Sequence, residues 1–334
     1  MIITRTPFRI SFFGGGTDYP QWFREFEGAA LATTIDKYCY INMRYLPPFF
    51  EHKHRIVYSV IESITKNEDI KHPAVRAIFK ELQVDKGLEV HHDGDLPARS
   101  GLGSSSSFTV GLINALYAIE GKMISKEDLA NRAIHIEQNV IKENVGSQDQ
   151  ISAAFGGFNK ISFHQDDSFD VRPILFPEGR MQDLHSYLLL FFTGFSRIAS
   201  EVAESKIANF KHREIELKRM HNMVDEAIQI IQDTSVSIDE FGSLLHQSWM
   251  YKRELSDKVS TPEIDAIYDA AIKAGATGGK LLGAGGGGFL LVFAKPDYHK
   301  KIKTALNNLI HVPFEFENIG SRVILYQPQN LDLS

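Results

Sequence analysis

The 334-residue sequence has few of the features that mark secreted or membrane proteins. Its single cysteine, Cys39, excludes an intramolecular disulfide framework and is typical of a reducing compartment. No apolar run approaches the roughly 20 residues that a membrane-spanning helix requires. Arg5 and Arg9 stand where a signal peptide would have its apolar core. We therefore expect a cytoplasmic protein that has no membrane partner.

Positive charge is not in excess either. The chain has 42 acidic and 36 basic residues, and its formal net charge is -6. A chain without a basic surface is not expected to bind nucleic acid. The HExxH and CxxC spacings of common zinc sites are absent, so we expect no structural zinc. If such a chain handles anions, it must concentrate its positive potential at particular lysines, arginines or helix ends.

Strand and helix patterns alternate in both halves of the chain. The 43% hydrophobic and 23% charged residues are typical of a globular protein, and the length favours two domains. Residues 2–13 alternate as a half-buried strand, whereas SYLLLFFTG, from residue 186, is a continuous apolar run typical of a buried strand. Long helices are predicted at 125–144, 200–232 and 239–256. We predict an α+β fold with an N-terminal domain, 1–180, and a C-terminal domain, 181–334.

The segment ARSGLGSSSS (98–107) lies between a predicted strand and a strongly periodic helix. Its serines would form the first turn of that helix, where backbone N–H groups lack partners and the helix dipole is positive. Glycines before the turn allow a ligand to approach the backbone closely. These features favour a phosphate-binding loop over an ordinary serine-rich helix cap or a flexible linker.

A second glycine-rich turn is GAGGGG (283–288). Its glycines follow a helix and precede a strand, which is the reverse of the order in a dinucleotide-binding fingerprint. A Walker A sequence is absent from the whole chain. The turn is therefore interpreted either as a lid over the same phosphates or as a tight connection between a helix and a strand.

Glu137 lies on the apolar face of a predicted helix, near Ala133, Ile134, Val140 and Ile141. A carboxylate in such a place must find a cation or become protonated. The cation is either a salt-bridge partner or Mg²⁺, which typically binds one or two carboxylates together with nucleotide phosphates.

These segments, in this order, resemble the GHMP kinases, the superfamily of galactokinase, homoserine kinase, mevalonate kinase and phosphomevalonate kinase. TPFRISFFGGGTDYP is similar to the first motif of the family, LPARSGLGSSSS to the second and KLLGAGGGGF to the third. The resemblance covers nearly the whole chain. It implies a two-domain fold, in which the N-terminal domain resembles ribosomal protein S5 domain 2, the C-terminal domain is ferredoxin-like, and ATP binds between them.

The resemblance also assigns roles to particular residues. It implies that Asp149 is the catalytic aspartate, that Arg9 pairs with it, and that Ser105 and Glu137 hold Mg²⁺. It places the sugar at Gly15, Gly16, Thr17 and Asp18. The residues that it assigns to ATP are Pro97, Ser100, Gly101, Leu102, Gly103, Ser104, Ser105, Ser106, Gly285 and Gly286.

The first motif bears on the substrate. Galactokinases have GEHTDY where this chain has GGGTDY, because Gly15 and Gly16 replace the glutamate and the histidine. The motif looks more like the branch that phosphorylates O1 of D-glycero-D-manno-heptose 7-phosphate, for nucleotide-activated heptose synthesis. Arg197, or else Lys206 or Arg44, is a candidate for holding the phosphate that this substrate already carries, and an ordinary surface charge is the alternative for each.

Other functions remain open at this point. One alternative is a kinase for an unphosphorylated sugar, similar to fucokinase or galactokinase. Another is a non-catalytic ATP-binding sugar sensor, although Ser105, Glu137 and Asp149 are all retained. A mevalonate-pathway enzyme is disfavoured by the TDY sequence. The expected partners are ATP and a sugar phosphate, and a homodimer is neither required nor excluded.

Overall fold

The computed structural model describes residues 1–47, 49–98, 100–194 and 199–328. The strands are β1 (Ile2–Phe13), β2 (Gly28–Tyr45), β3 (His54–Val57), β4 (Ile61–Ile64), β5 (Leu88–Gly94), β6 (Phe158–Phe163), β7 (Phe169–Pro173), β8 (Leu188–Phe192), β9 (Gly278–Leu281), β10 (Phe289–Phe293), β11 (Ile310–His311), β12 (Phe316–Glu317) and β13 (Arg322–Tyr326).

The helices surround these strands. They are α1 (Pro20–Phe26), α2 (Pro73–Glu81), α3 (Ser104–Ile119), α4 (Lys126–Ile134), α5 (Gln148–Phe155), α6 (Arg180–Ser186), α7 (Ala199–Asn209), α8 (Glu214–Gln232), α9 (Asp239–Glu254), α10 (Pro262–Lys273) and α11 (His299–Ala305). Within the described ranges, none of them combines the length and the apolar character needed to cross a membrane.

The strands form two sheets. The larger has nine described strands, and its main path runs in the order β13-β1-β2-β5-β3-β4, with β6, β7 and β12 joined through β2. The smaller has four, in the order β11-β8-β10-β9. The larger sheet is built from the first 173 residues together with β12 and β13, which return to it from the end of the chain. The architecture is the expected α+β fold, and the domain division at residue 180 stays a prediction.

Strand β1 is buried on both faces, although its sequence predicts only one buried face. Phe8, Ile10 and Phe12 lie in the core as expected. Arg9 and Ser11, on the opposite face, are also buried. The backbone N–H of Arg9 donates to the carbonyl of Leu102 at 3.0 Å, so the second glycine segment covers this face of the strand.

Aromatic side chains join the two sheets. Phe12 and Phe13 of β1 lie edge-to-face against Phe241 of α9, with ring centroids 5.5 and 5.2 Å apart. Phe241 in turn lies 5.7 Å from Phe293 of β10. Such pairs add to the apolar area that they bury. This contact fixes the end of β1 relative to the smaller sheet, and so it positions the glycine turn that follows β1 relative to the one that precedes β10.

Two of the predicted helices are interrupted. The segment predicted as one helix over 200–232 is divided into α7 and α8 by a 3-10 turn at Phe210–His212. Phe210 begins this turn, and its ring packs against Tyr19 and Trp22. The helix predicted over 125–144 is α4, and it continues as a π-helical turn at His135–Val140, which contains Glu137. Local pattern indicated the helices, whereas tertiary packing determines their breaks.

Candidate active site

The serine segment forms the amino-terminal turn of α3, as predicted, and so it is not a linker. Gly103 precedes the helix in the left-handed region, with φ 74°. Ser105 is exposed on the first turn, whereas Ser106 and Ser107 are buried. The Ser107 hydroxyl donates to the carbonyl of Pro7 in β1 at 2.9 Å. The helix start is therefore anchored to the larger sheet, and its role in binding an anion stays a prediction.

The second and third glycine segments lie directly against each other. A side chain on Gly283 would place its Cβ 2.4 Å from the Cα of Gly101, and one on Gly101 would lie 2.6 Å from the carbonyl oxygen of Leu282. The backbone N–H of Phe289 donates to the carbonyl of Ser100 at 3.1 Å. Only glycine permits this approach, because a Cβ atom would overlap the opposite backbone. The third segment joins the strands β9 and β10, so the prediction that it follows a helix is wrong, and its role as a lid over the phosphates stays a prediction.

Gly285 and Gly286 pack away from this contact, against the loop before α10. The N–H of Gly286 donates to the carbonyl of Val259 at 2.9 Å, and a Cβ on Gly285 would lie 2.6 Å from that oxygen. Their predicted role in binding ATP stays a prediction.

Two buried lysines, which the sequence analysis missed, lie near the third glycine segment, and each donates to backbone carbonyls. The ammonium of Lys252 donates to the carbonyls of Leu281 and Gly283 at 2.7 Å each. That of Lys280 donates to the carbonyl of Phe12 at 2.7 Å. Burial lowers the pKa of both groups, that of Lys280 to about 7. The sequence contained one signal, since Lys252 follows the buried Trp249 by three positions on the same helix face.

Glu137 is only 1% exposed, and it faces α3. The Ser106 hydroxyl donates to its Oε2 at 2.8 Å, and the side-chain amide of Gln150 donates to the same oxygen. Burial raises the pKa of Glu137 to about 7, while the polar groups of Thr109, Ser106 and Gln150 oppose the rise in part. The hydroxyl that contacts Glu137 thus belongs to Ser106 and not to Ser105.

The surroundings of Glu137 fit a magnesium ion. Its Oε1 is buried and accepts no hydrogen bond from the described residues. No described cation forms an ion pair with it, so the salt-bridge alternative is not realised in those residues. The described residues also contain no group of three or more His, Cys, Asp or Glu that could hold a metal by itself. One carboxylate with an unpaired oxygen beside an anion site is the donor set from which Mg²⁺ is completed by phosphates.

Asp149 and Arg9 form a bidentate ion pair beside the start of α3. The Nε and NH2 atoms of Arg9 donate to the two carboxylate oxygens at 2.7 and 2.8 Å, and its NH1 donates to the carbonyl of Gly101 at 2.7 Å. The Arg9 side chain is 5% exposed, whereas that of Asp149 is 26% exposed. A Cβ on Gly103 would lie 3.4 Å from the carboxylate. The predicted catalytic pair therefore opens onto the predicted phosphate loop.

Asp18 lies in the turn after β1 and is buried. It accepts the backbone N–H of Gly16 at 2.8 Å and the side-chain amide of Gln148 at 2.8 Å. Burial raises its pKa, and Asp149 adds to the rise. The hydroxyl of Thr17 donates to the carbonyls of Gly14 and Ala29, both at 2.9 Å, so Thr17 stabilises the turn. Gly15 is partly exposed. The sequence analysis missed Gln148, which orients Asp18.

Three residues are candidates for binding the phosphate that the substrate already carries, and their positions differ. Arg197 lies outside the described residues. Arg44 projects from β2 and pairs with Glu89 of β5, with its Nε 2.6 Å from the carboxylate. Lys206 is buried close to Asp18 and Asp149, whose charges both act on it.

Family models match both halves of the chain. One described as "GHMP kinases N terminal domain" matches residues 68–157, and one described as "GHMP kinases C terminal" matches residues 234–311. The D-glycero-alpha-D-manno-heptose 7-phosphate kinase of Campylobacter jejuni is 31% identical over 88% of this chain and 90% of its own length. The bifunctional fucokinase/GDP-fucose pyrophosphorylase of Arabidopsis thaliana is 26% identical over 86% of this chain, which spans only 29% of that protein.

A solved structure shares the fold. The D-glycero-D-manno-heptose 1-phosphate kinase of Bacteroides thetaiotaomicron superposes with a TM-score of 0.72 over 97% of this chain and 98% of its own. At 22% sequence identity, this likeness bears on the fold alone.

The contact between the two glycine segments yields a prediction. Gly283→Ala forces a Cβ against Gly101, whereas a Cβ on Gly179, which has a similar φ of 76° against 72°, would meet nothing within 4 Å. Both substitutions carry the strain of left-handed backbone, about 1–2 kcal/mol. Gly283→Ala should add a steric cost of about 1–3 kcal/mol. It should also lower kcat/KM for ATP by about 10- to 100-fold, because it displaces the loop.

Denaturant unfolding and initial-rate kinetics of Gly283→Ala and Gly179→Ala measure these two effects. Equal losses of stability in the two variants, with ATP kinetics unchanged in both, would contradict the importance of the contact.

Proposed function

The chain belongs to the GHMP kinases and is an ATP-dependent sugar kinase, and from this premise we propose that it phosphorylates O1 of D-glycero-D-manno-heptose 7-phosphate to give the 1,7-bisphosphate. The main observation behind the proposed reaction is that the Arg9–Asp149 pair lies next to the amino-terminal turn of α3. The choice of sugar is supported by the GGGTDY motif and by the 31% identity to the heptose 7-phosphate kinase of C. jejuni.

The nucleotide phosphates would bind at the start of α3. Phosphoryl transfer requires little covalent help from the protein, and positioning and charge compensation supply most of the rate enhancement. The backbone N–H groups from Gly103 onward provide oriented donors, and the glycine segment around Gly283 closes over them. The serine hydroxyls of the first turn add further donors.

Mg²⁺ would be held by Glu137 together with a hydroxyl of the first turn of α3. When bound, it neutralises charge on the triphosphate. Ser106 already contacts the Glu137 carboxylate, and Ser105 lies one position before it on the exposed side. Adjacent helix positions are about 100° apart, so the two hydroxyls point in different directions. Ser106 orients the Glu137 carboxylate, and Ser105 faces the side on which the nucleotide and Mg²⁺ would bind.

The Asp149 carboxylate would accept a hydrogen bond from the sugar hydroxyl that is phosphorylated. Each carboxylate oxygen retains lone-pair capacity beyond the bond that it accepts from Arg9. A neighbouring guanidinium makes a carboxylate a weaker base. In a loose transition state the proton leaves late, so Asp149 first orients the hydroxyl and takes its proton only as the new P–O bond forms. Arg9 holds the carboxylate in place for this role.

A kinase for an unphosphorylated sugar is the second candidate, and the similarity to a bifunctional fucokinase favours it. ADP release measured with a panel of heptose 7-phosphate, fucose, galactose and mannose distinguishes the two. We expect the highest kcat/KM with heptose 7-phosphate. ³¹P NMR of that product should show a second phosphomonoester signal coupled to the anomeric proton. A higher kcat/KM for fucose or galactose, or transfer to another hydroxyl, would refute the proposal.

The role of Asp149 yields a second prediction. Asp149→Ala should lower kcat by roughly 10²–10⁴-fold, because the acceptor hydroxyl loses the group that orients it and takes its proton. Asp167→Ala is a matched control, since Asp167 forms a similar pair with Arg24 at the surface, with Nε–Oδ1 again 2.7 Å. Steady-state kinetics on both variants provide the measurement. If Asp149→Ala turns over at the rate of the control, Asp149 has no catalytic role.

Removal of the buried charge at Glu137 yields a third prediction. Glu137→Gln should raise the Mg²⁺ concentration for half-maximal activity at least tenfold, because a neutral amide is a poor ligand for this hard cation. Its free energy of unfolding without metal should not fall, since the variant buries no charge. Glu120→Gln, at an exposed position, is the control. An unchanged Mg²⁺ requirement would exclude Glu137 as a ligand.

A further inference from the structure

Lys206 of α7 is a buried cation that has no hydrogen-bond partner among the described residues. The residue is 4% exposed, and its Nζ lies 5.2 Å from the centroid of the Tyr19 ring. Within residues 1–47, 49–98, 100–194 and 199–328, it forms no hydrogen bond and no ion pair. Its three N–H donors therefore lack an acceptor in the part of the chain that the structure describes.

The surrounding structure holds Lys206 in this position. The residues that follow it anchor α7, because Phe210 packs edge-to-face on Tyr19, with centroids 5.8 Å apart, and Asn209 donates to the carbonyl of Leu255 at 3.0 Å. Ser205 forms a 2.8 Å hydrogen bond with Ser256. These contacts tie α7 to the turn after β1 and to the end of α9. The backbone of α7 at Lys206 is therefore held in place.

A buried ammonium such as that of Lys206 destabilises the fold unless hydrogen-bond acceptors surround it. Burial of an ammonium without acceptors is unfavourable. Burial lowers the pKa of Lys206 to about 8, while Asp18 and, to a lesser extent, Asp149 favour its charged form. A bound molecule that brings oxygen atoms would supply the missing acceptors.

The neighbouring cations are already occupied. Arg9 gives its donors to Asp149 and to the carbonyl of Gly101. Lys252 and Lys280 donate to backbone carbonyls. Among these four buried cations, Lys206 alone makes no hydrogen bond to a described residue, and it lies beside the carboxylates predicted to handle the sugar.

We propose that Lys206 binds the sugar. Its ammonium donates a hydrogen bond to a hydroxyl oxygen of the sugar, next to the hydroxyl that is phosphorylated. The inference rests on the proposed sugar kinase function. A hydroxyl fits better than the phosphate that the sugar carries, because a dianion would be repelled by Asp18 and Asp149. A neutral hydroxyl can accept from Lys206 while it donates to one of these carboxylates. The pairing of an ammonium and a carboxylate around one hydroxyl fixes the orientation of the ring.

Steady-state kinetics with Lys206→Met and Lys206→Arg test the inference. Lys206→Met keeps the length of the side chain and removes its donors, so KM for the sugar should rise about 10- to 100-fold, the usual effect of losing a hydrogen bond to a charged group. KM for ATP should stay within about twofold, and Lys206→Arg should recover part of the loss. Lys211→Met, at an exposed position just beyond α7, is the matched control.

KM values for the phosphorylated and unphosphorylated forms of the sugar show whether Lys206 contacts a hydroxyl or the phosphate of the substrate. Because the contact is to a hydroxyl, Lys206→Met should raise KM by the same factor for both forms. A rise confined to the phosphorylated sugar would assign Lys206 to the phosphate and overturn the inference. An unchanged KM for both forms, or a loss of thermal stability with KM unchanged, would also overturn it.

The dependence of kcat/KM for the sugar on pH gives a readout that a structural role would not affect. The cation is the binding form, so kcat/KM should fall as pH rises through about 8. In Lys206→Arg the fall should move at least one pH unit higher, because a guanidinium stays charged. Identical alkaline limbs in the two proteins would contradict the inference. Among the described residues, the titratable or charged groups that act on the ammonium or lie against it are Asp18, Tyr19, Asp149, Lys252 and Lys280.

Failure of the inference differs from failure of the proposed function. If wild-type protein releases no ADP with heptose 7-phosphate but does so with another sugar, the substrate proposal fails, and the Lys206 variants are measured with that other sugar. If heptose 7-phosphate is used with equal KM by wild type and Lys206→Met, the function stands and the inference fails.

Discussion

The guanidinium of Arg9 connects three segments that are distant in sequence. It donates to both oxygens of Asp149 on α5 and to the carbonyl of Gly101 in the second glycine segment, and its own backbone belongs to β1, which pairs with β2 in the larger sheet. A guanidinium buried to this extent is strongly destabilising if its donors lose their partners. The requirement to fill them places the carboxylate and the phosphate loop at a fixed separation. The remainder of the site is arranged around that fixed point.

The sequence predicted the parts of the site that depend on neighbours along the chain. The serine turn follows from its place between a strand and a periodic helix, and Glu137 follows from its position on an apolar stripe, which is confirmed by its burial. The α+β architecture follows from the alternation of the two periodicities, and it too is confirmed. These inferences need only helix geometry and the energetic cost of a buried charge.

What the sequence could not provide depends on long-range packing. The alternation in β1 predicts one polar face, yet Arg9 and Ser11 are buried because a distant loop covers them. Which of Ser105 and Ser106 faces Glu137 depends on the helix phase and on the π-helical turn opposite. The helix predicted over 200–232 breaks at Phe210 because two aromatic residues from the start of the chain receive that side chain. None of these partners lies within a window of local sequence.

The return of the last strands to the first sheet has a consequence for biosynthesis. Strand β13 pairs with β1 over Ile2↔Tyr326 to Arg5↔Arg322, and Ser321 bonds to Thr6 at 2.8 Å. During translation, β1 and β2 emerge early, but the edge of β1 stays uncovered until residue 326 has cleared the ribosome. An open strand edge invites pairing with other chains. A nascent polypeptide of this topology is therefore exposed to misassociation for nearly the whole of its synthesis, and chaperones that shield strand edges have a long interval in which to act on it.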